Sequence, residues 1–300
     1  MKQIVPAVLV AGATGEVGGR VVRQLLAQGV PVRAIGRHPD KLTALAALGA
    51  ETVNADLRDA AAVRRACDGV HQVFTTVNNV MGHGATSPGR VDVKAHESLC
   101  AAARDAGIQR LVYLSARDMT GDSPVDFFRT KHAIEGVIRD SGVPFVFLRP
   151  GAFMETWVGM LAGGIRKNGT AILFGNGQTV ANFIAITDVA DMSVRVLLDD
   201  AVVNEAIEIG GPSNVSLGDI VTLLESHMGV TVKRRHIPTA ALWVGGLVVR
   251  PFKEVASRFM RMGYYTATHD GAFADWSVAS KRFGVNPMSI ETFISSTDRR

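Results

Sequence analysis

Short apolar runs alternate along the first half of the chain with stretches whose apolar positions recur every three or four residues. The runs predict strands at 4–10, 31–35, 51–54, 72–76, 110–115 and 144–148, and the periodic stretches predict helices over 16–28, 41–48, 60–66, 91–106 and 126–141. Strands regularly separated by helices imply βαβ units, hence a doubly wound parallel sheet of the α/β class whose ligand crevice lies beyond the carboxyl ends of the strands. The alternation stops after Pro150. Beyond it the pattern predicts a helix over 155–166, a hairpin-like segment at 171–181, a strand-to-helix element over 182–198, a strand at 206–211, and helices over 216–228 and 238–262. Residues 1–150 thus read as one domain and residues 151–300 as a smaller region that shares its core and returns some strands to the sheet.

One turn in this pattern carries chemistry. The first strand runs into Gly12-Ala13-Thr14-Gly15-Glu16-Val17-Gly18, where the next helix begins. Glycines at this spacing let the backbone turn sharply and leave no Cβ between main chain and a pyrophosphate, while the helix start offers free N–H groups. This is the placement that makes a Gly-rich turn a dinucleotide cradle and the sheet a Rossmann sheet. At the end of the second strand stands Arg37, with Lys41 four residues on, where an enzyme selecting NAD places an acid for the ribose hydroxyls. A guanidinium there suits a 2′-phosphate, so NADP(H) is the expected cofactor. Asp56 and Leu57 follow the third strand and would meet the adenine, Asp56 by hydrogen bond and Leu57 by packing; the alternative for Asp56 is capping the next helix. The fourth strand ends at Thr76-Val77-Asn78, and the glycine-rich loop after it, to Gly89, reads either as a cover over the crevice or as a plain connection.

Composition narrows the picture. At 300 residues, 47% hydrophobic and net charge +4, the chain can bury a large core, and its basic residues are interspersed with acids, which argues against a nucleic-acid partner. Cys67 and Cys100 lie in helical patterns without metal-ligand spacing and read as buried thiols of a reducing compartment; no metal site is expected. The apolar start contains Pro6 and runs into the glycine turn, so it reads as a strand and not as a secretory signal. Residues 240–249 are apolar over about half the roughly 20 positions a spanning helix needs, which predicts a core or pocket-lining helix and no membrane partner. The histidines at 83, 96, 132 and 236 have no spaced partners. The loop after the sixth strand, with Phe153, Met154, Trp157 and Met160, predicts an apolar pocket wall for a flat or greasy ligand; ordinary packing of an amphipathic helix is the alternative for Trp157, Met160 and Leu161.

With these residues in hand the chain resembles the short-chain dehydrogenase/reductase superfamily, in its atypical NmrA-like and isoflavone-reductase-like branch. The resemblance rests on the glycine turn, Arg37, Tyr113-Leu114-Ser115-Ala116, Lys131 with Glu135, the stretch from Ser141 through Arg149-Pro150-Gly151 to Glu155, and residues 183–190, FIAITDVA. It implies a cytoplasmic NADP(H)-dependent reductase of a small apolar carbonyl, quinone or enone compound, monomeric or homodimeric. It also implies cofactor contacts by Gly12, Thr14, Gly15, Glu16, Val17, Gly18, Arg37, Asp56, Leu57, Thr76, Val77, Lys131, Pro150 and Phe153. Substrate contacts fall to Asn78, Arg117, Phe127, Phe153, Met154 and Trp157, and catalysis to Lys131 and Ser115. The superfamily's usual Tyr, four residues before the helix Lys, is replaced here by Phe127, which has no proton to give. The departure is similar to the isoflavone-reductase-like enzymes. Against the enzyme stands a non-catalytic NADP(H) sensor, in which Lys131 binds the nicotinamide ribose and pairs with Glu135 while Ser115 only ends a strand. A sugar-nucleotide epimerase or dehydratase ranks third, because such relatives keep the Tyr.

Overall fold

The computed structural model describes residues 7–79 and 81–297. In chain order the elements begin with β1 (Val8–Ala11), α1 (Glu16–Ala27), β2 (Val32–Gly36), α2 (Pro39–Ala46), β3 (Glu51–Asn54), α3 (Ala60–Cys67) and β4 (Gln72–Thr75). After a short 3-10 turn at Gly84–Thr86 come α4 (Pro88–Asp105), β5 (Arg110–Leu114), α5 (Asp126–Asp140), β6 (Phe145–Pro150), β7 (Ala152–Phe153) and α6 (Met154–Asn168). The chain continues with β8 (Thr170–Phe174), β9 (Val180–Ile184), α7 (Ile186–Leu198), β10 (Glu205–Ile209), β11 (Asn214–Ser216) and α8 (Leu217–Met228). It closes with β12 (Lys233–Ile237), α9 (Thr239–Val248), α10 (Glu254–Thr268), α11 (Ser277–Phe283) and α12 (Ile290–Thr297). The first predicted strand begins within residues 1–6, which lie outside the described residues; its remainder is β1.

The chain divides into two compact units. The first takes residues up to Gly121, Phe127–Arg149 and Val189–Ile207. Its sheet has the order β10-β6-β5-β4-β1-β2-β3. The pairs β1–β2, β1–β4, β2–β3, β4–β5 and β5–β6 are parallel, and the order reverses at β1, the switch point of a doubly wound fold. Strands covered on both faces are mostly apolar, and β1, β4 and β5 are buried at every position, the polar Gln72, Thr75 and Arg110 lying at strand ends. Leu9, Leu99, Leu111, Ile134 and Phe147 anchor the core between sheet and helices, each such side chain contributing about 1.5–3 kcal/mol by burial. Residues 189–207 join this unit through a polar device. The buried Arg110 guanidinium of β5 donates to the carbonyls of Leu197, Asp199 and Val202 and to Gln72.

The second unit takes Asp122–Asp126, Pro150–Asp188 and the chain from Glu208 onward. Its core gathers Met154, Val158, Leu161, Phe183, Leu217, Val221, Leu224 and Ile294. Residues 171–181 are not a hairpin: β8 pairs in parallel with β12, whereas β9 pairs antiparallel with β11 and in parallel with β7. Although the turn Gly175-Asn176-Gly177-Gln178 is of the kind that closes hairpins, each strand is held by partners distant in sequence, β12 for β8 and β7 and β11 for β9. Buried Asn182 holds this arrangement, accepting from Gly211 N at 2.7 Å and donating to Gly211 O at 3.0 Å and Asn214 Oδ1 at 2.9 Å. Helix α9 also departs from expectation. Only Leu242 and Gly246 are buried, so residues 240–249 are an exposed helix and not a core one. No helix among the described residues is long and apolar enough to cross a membrane.

Candidate functional site

Parallel strands deliver their carboxyl ends to one edge, and in the first unit that edge collects most of the predicted residues. The β1–α1 turn is built from close approaches. Gly12 sits at φ +86°, and a Cβ there would come within 2.5 Å of Thr76 Oγ1. A Cβ on Gly18 would lie 2.3 Å from the Gly12 carbonyl oxygen, so the first turn of α1 packs directly on the strand-end backbone. Gly15 N donates to Gly12 O at 3.0 Å, and Gly15 opens α1 with no side-chain cap. The uncapped amides and the positive end of the helix dipole thus lie at the carboxyl end of β1, which is the placement a diphosphate requires. Thr76 and Val77 border the turn directly, each within contact distance of a Cβ at Gly12. Thr14 touches the end of β2 at Gly36, whereas Val17 is buried and Glu16 is exposed and bound to Arg20 at 2.8 Å. The residues present thus fit a dinucleotide.

At the ends of β2 and β3, Arg37 is half-exposed and stands 3.9 Å from Asp56. Asp56 is gripped by Arg58, whose Nε and Nη2 donate to its two carboxylate oxygens at 3.0 and 2.8 Å. That bond, chiefly, holds the Asp56 carboxyl below its ordinary range. The helix-capping alternative for Asp56 is corrected: Asp59 caps α3, accepting from Ala61 N and Ala62 N. Leu57 packs into the core of the unit. Arg58 was missed by sequence reasoning, although its position one residue beyond Leu57 puts a second guanidinium beside Arg37.

Lys131 occupies a buried polar cluster. Its Nζ donates to the Leu114 carbonyl at the end of β5, 2.6 Å away, and lies 4.6 Å from the centre of the Tyr113 ring and 5.6 Å from that of Phe127. Phe127, at the position of the expected Tyr, therefore covers the ammonium with a π face. The ion pair foreseen between Lys131 and Glu135 does not form as such: Glu135 is held by Arg149, at 3.0 and 2.6 Å, with Arg139 at 3.7 Å. Burial lowers the Lys131 pKa to about 8, opposed by the fields of Asp92 and Glu135. His96, missed as a partner, bonds Thr75 Oγ1 at 3.2 Å and the Asp92 carbonyl at 2.7 Å, and burial pushes its pKa down to about 4. The Tyr113 hydroxyl is buried with no hydrogen-bond partner among the described residues. Sequence reasoning named Tyr113, Phe127, Lys131, Glu135 and Arg149 but did not bring His96 and Asp92 to them, because these stand on α4, distant in sequence from α5.

Ser115 is buried and its hydroxyl donates to Met119 Sδ at 3.2 Å. Arg117 lies 3.4 Å from Asp118, a residue with φ +54°, in the loop after β5. Asn78 Nδ2 approaches the Thr76 carbonyl at 3.4 Å. The loop beyond is internally bonded: Asn79 N donates to Asp92 and Asn79 Nδ2 to the Thr86 carbonyl. In the second unit, Pro150 ends β6, Phe153 lies on β7 and Trp157 packs edge-on against Phe174 at 6.3 Å. Met154 is fully buried in the core, which corrects its assignment to a pocket wall. A cavity of about 190 Å³ does exist in this unit, lined by Val158, Ala162, Leu224, Met228 and Phe293 with Arg166 and His227, but by none of Phe153, Met154 or Trp157.

A parallel doubly wound sheet with a glycine cradle at its switch point defines a dinucleotide-binding class of protein. The NmrA-like family model matches residues 6–294, and the chain belongs to the NmrA-like family. It is 30% identical over 227 residues to the NAD(P)H azoreductase of Xenophilus azovorans, spanning 75% of each chain. To the (4-alkanoyl-5-oxo-2,5-dihydrofuran-3-yl)methyl phosphate reductase of Streptomyces griseus it is 34% identical over 224 residues, 74% of each. Among solved structures, the NADPH complex of the NADPH-dependent quinone oxidoreductase of Escherichia coli shares the fold with a TM-score of 0.81 at 24% identity, over 97% of this chain and 99% of that one.

Proposed function

We propose that the protein is an NADP(H)-dependent reductase of a small apolar carbonyl, quinone or conjugated enone compound. The observation that carries the reading is the cradle: Gly12 and Gly18 are closed to any Cβ by Thr76 and by the turn's own backbone, beside two guanidinium groups at the ends of β2 and β3. Two relatives described above, one an NAD(P)H azoreductase and the other a reductase of a furan phosphate, support it. In this reading the amides opening α1 receive the pyrophosphate, and Arg37 with Arg58 receives the 2′-phosphate. The cofactor, when bound, supplies hydride. Lys131 Nζ holds a proton in a dry cluster and pins the Leu114 carbonyl, which sets the position of Ser115 one residue on. Ser115, once its buried hydroxyl turns from Met119 Sδ, and Arg117 are the polar groups that would meet a substrate oxygen from the loop after β5.

One observation favours a second reading, a non-catalytic NADP(H) sensor. The Lys131 ammonium is buried, bonded to a backbone carbonyl and capped by Phe127, where the superfamily's usual catalytic set has a phenol. The discriminating experiment is NADPH oxidation against quinones, aryl ketones and enones, run beside Lys131→Met with cofactor affinity measured in parallel. The reductase reading expects turnover by the wild type; tight NADPH binding with no turnover across the panel transfers the assignment to the sensor.

A further inference from the structure

The second unit carries an apolar surface on helices α9 and α10. Helices α9 and α10 pack as a hairpin: Ser257 Oγ donates to the Gly246 carbonyl, Trp243 and Tyr264 lie ring to ring at 5.0 Å, and Arg261 covers Trp243 at 5.3 Å. The inner face of α9 is narrow, with Leu242 and Gly246 buried. Its outer face is apolar as well. Trp243, Val244, Leu247 and Val248, spaced one and four residues apart and so on one side of the helix, are exposed, Val248 to 63%. The turn between the helices projects Phe252, 85% exposed, and α10 adds exposed Phe259. A cluster of this size on a folded surface marks an interaction site more often than chance exposure.

Charge selects the occupant. Residues 230–262 hold seven lysines and arginines against one acid, Glu254; Arg258 is buried against Asp126 and Arg234 pairs with Glu225, which leaves Lys233, Arg235, Arg250 and Lys253 exposed on the surface. The chain as a whole carries only +4, so everything outside this segment is net negative. The cations are also placed usefully: Arg250 and Lys253 are exposed on either side of Phe252, and Lys233 and Arg235 are exposed on β12, which leads directly into α9. Large aliphatic and aromatic groups flanked by basic residues, with acids almost absent, are what a helix lying in an anionic lipid interface requires. A nucleic-acid partner would use the cations but has no need of Val244, Leu247 and Val248.

We infer that the α9–α10 hairpin is a peripheral docking surface for an anionic phospholipid bilayer, with Phe252 and the outer face of α9 entering the headgroup boundary. This departs from the expectation of no membrane partner, and it is independent of the activity proposed above. The test is co-sedimentation of the full chain with vesicles of phosphatidylcholine alone or mixed with phosphatidylglycerol, read also by the emission of Trp243 against a Trp243→Phe control. The wild type is expected to bind only the anionic vesicles, with a blue shift that the control lacks, and to release in high salt. Each charge removed in Arg250→Ser and Lys253→Ser should lower vesicle affinity about fivefold. Val248→Ser with Phe252→Ser should abolish the blue shift while NADPH affinity, the check on folding, stays unchanged. No binding to anionic vesicles overturns the inference, as does binding that the variants leave intact. A wild-type dimer in solution that Phe252→Ser converts to monomer would also overturn it, by assigning the face to a second copy.

Discussion

Replacing Lys131 by Met tests the account of the buried cluster, because Met keeps the length and apolar volume of the side chain and removes only the ammonium. Burial lowers the Lys131 pKa from 10.5 to about 8, so the folded protein releases this proton well before the unfolded chain does. Below about pH 8 both states hold the proton, and Lys131 adds no pH dependence. Between about pH 8 and the unfolded value the unfolded chain binds more protons, so stability rises with pH, by about 3 kcal/mol in all. The sign is the reverse of that for a salt-bridged lysine. The assay is urea unfolding of wild type and Lys131→Met across this range, taking the difference at each pH so that titrations common to both cancel. At neutral pH two effects nearly balance: the variant escapes the buried charge, but it leaves the Leu114 carbonyl without its charge-assisted bond, worth about 1.5–3 kcal/mol. Wild type should therefore gain on the variant by about 3 kcal/mol on going from neutral to strongly alkaline pH. Parallel profiles would refute the buried ammonium and place Lys131 in water.

Further outcomes follow from other positions. Arg58→Ala and Arg37→Ala should each weaken NADPH about tenfold or more while changing NADH less than about twofold, measured by fluorescence titration; equal losses would remove both from the 2′-phosphate. Gly12→Ala, at φ +86° and with its Cβ 2.5 Å from Thr76 Oγ1, should lose dinucleotide binding. Gly29→Ala, at φ +75° with open space around it, should cost only about 1–2 kcal/mol in thermal unfolding and leave binding intact. Cys67 and Cys100 are buried, and burial raises both thiols to about 11, so neither should react with iodoacetamide at mildly alkaline pH until denaturant is added, as read by intact mass.

Most of the first unit was legible because its signals are local. The apolar run of β1, the periodicity of α1 and the glycine turn between them each depend on a few adjacent residues, and elements from β1 to β6 fall within a few residues of their predicted bounds. Past Pro150 the strands are short and their partners distant in sequence: β8 finds β12 and β9 finds β11, pairings that no spacing between 171 and 181 announces. The apolar segment 240–249 misled for a different reason. Periodicity measures how apolar a helix is, and an apolar helix reads as buried whether the surface that covers it belongs to the same chain or not.

The site divides along the same line. Its phosphate cradle is written in glycines three residues apart, and there the constraint is steric and local. The electrostatics are not local. From its own helix, Lys131 reads as the partner of Glu135, one turn on, by the spacing that sets neighbours on any α-helix. In the structure the ammonium turns instead to a carbonyl of β5, while Arg149 of β6 takes the carboxylate. Both replacements come from strands, and each is decided by burial. A buried carboxylate is satisfied best by a bidentate guanidinium, which leaves the lysine to a backbone acceptor and to the π faces of Tyr113 and Phe127. Phe127, which stands where the superfamily's usual Tyr would, thus lies with Tyr113 over a buried ammonium and has no proton to donate beside it.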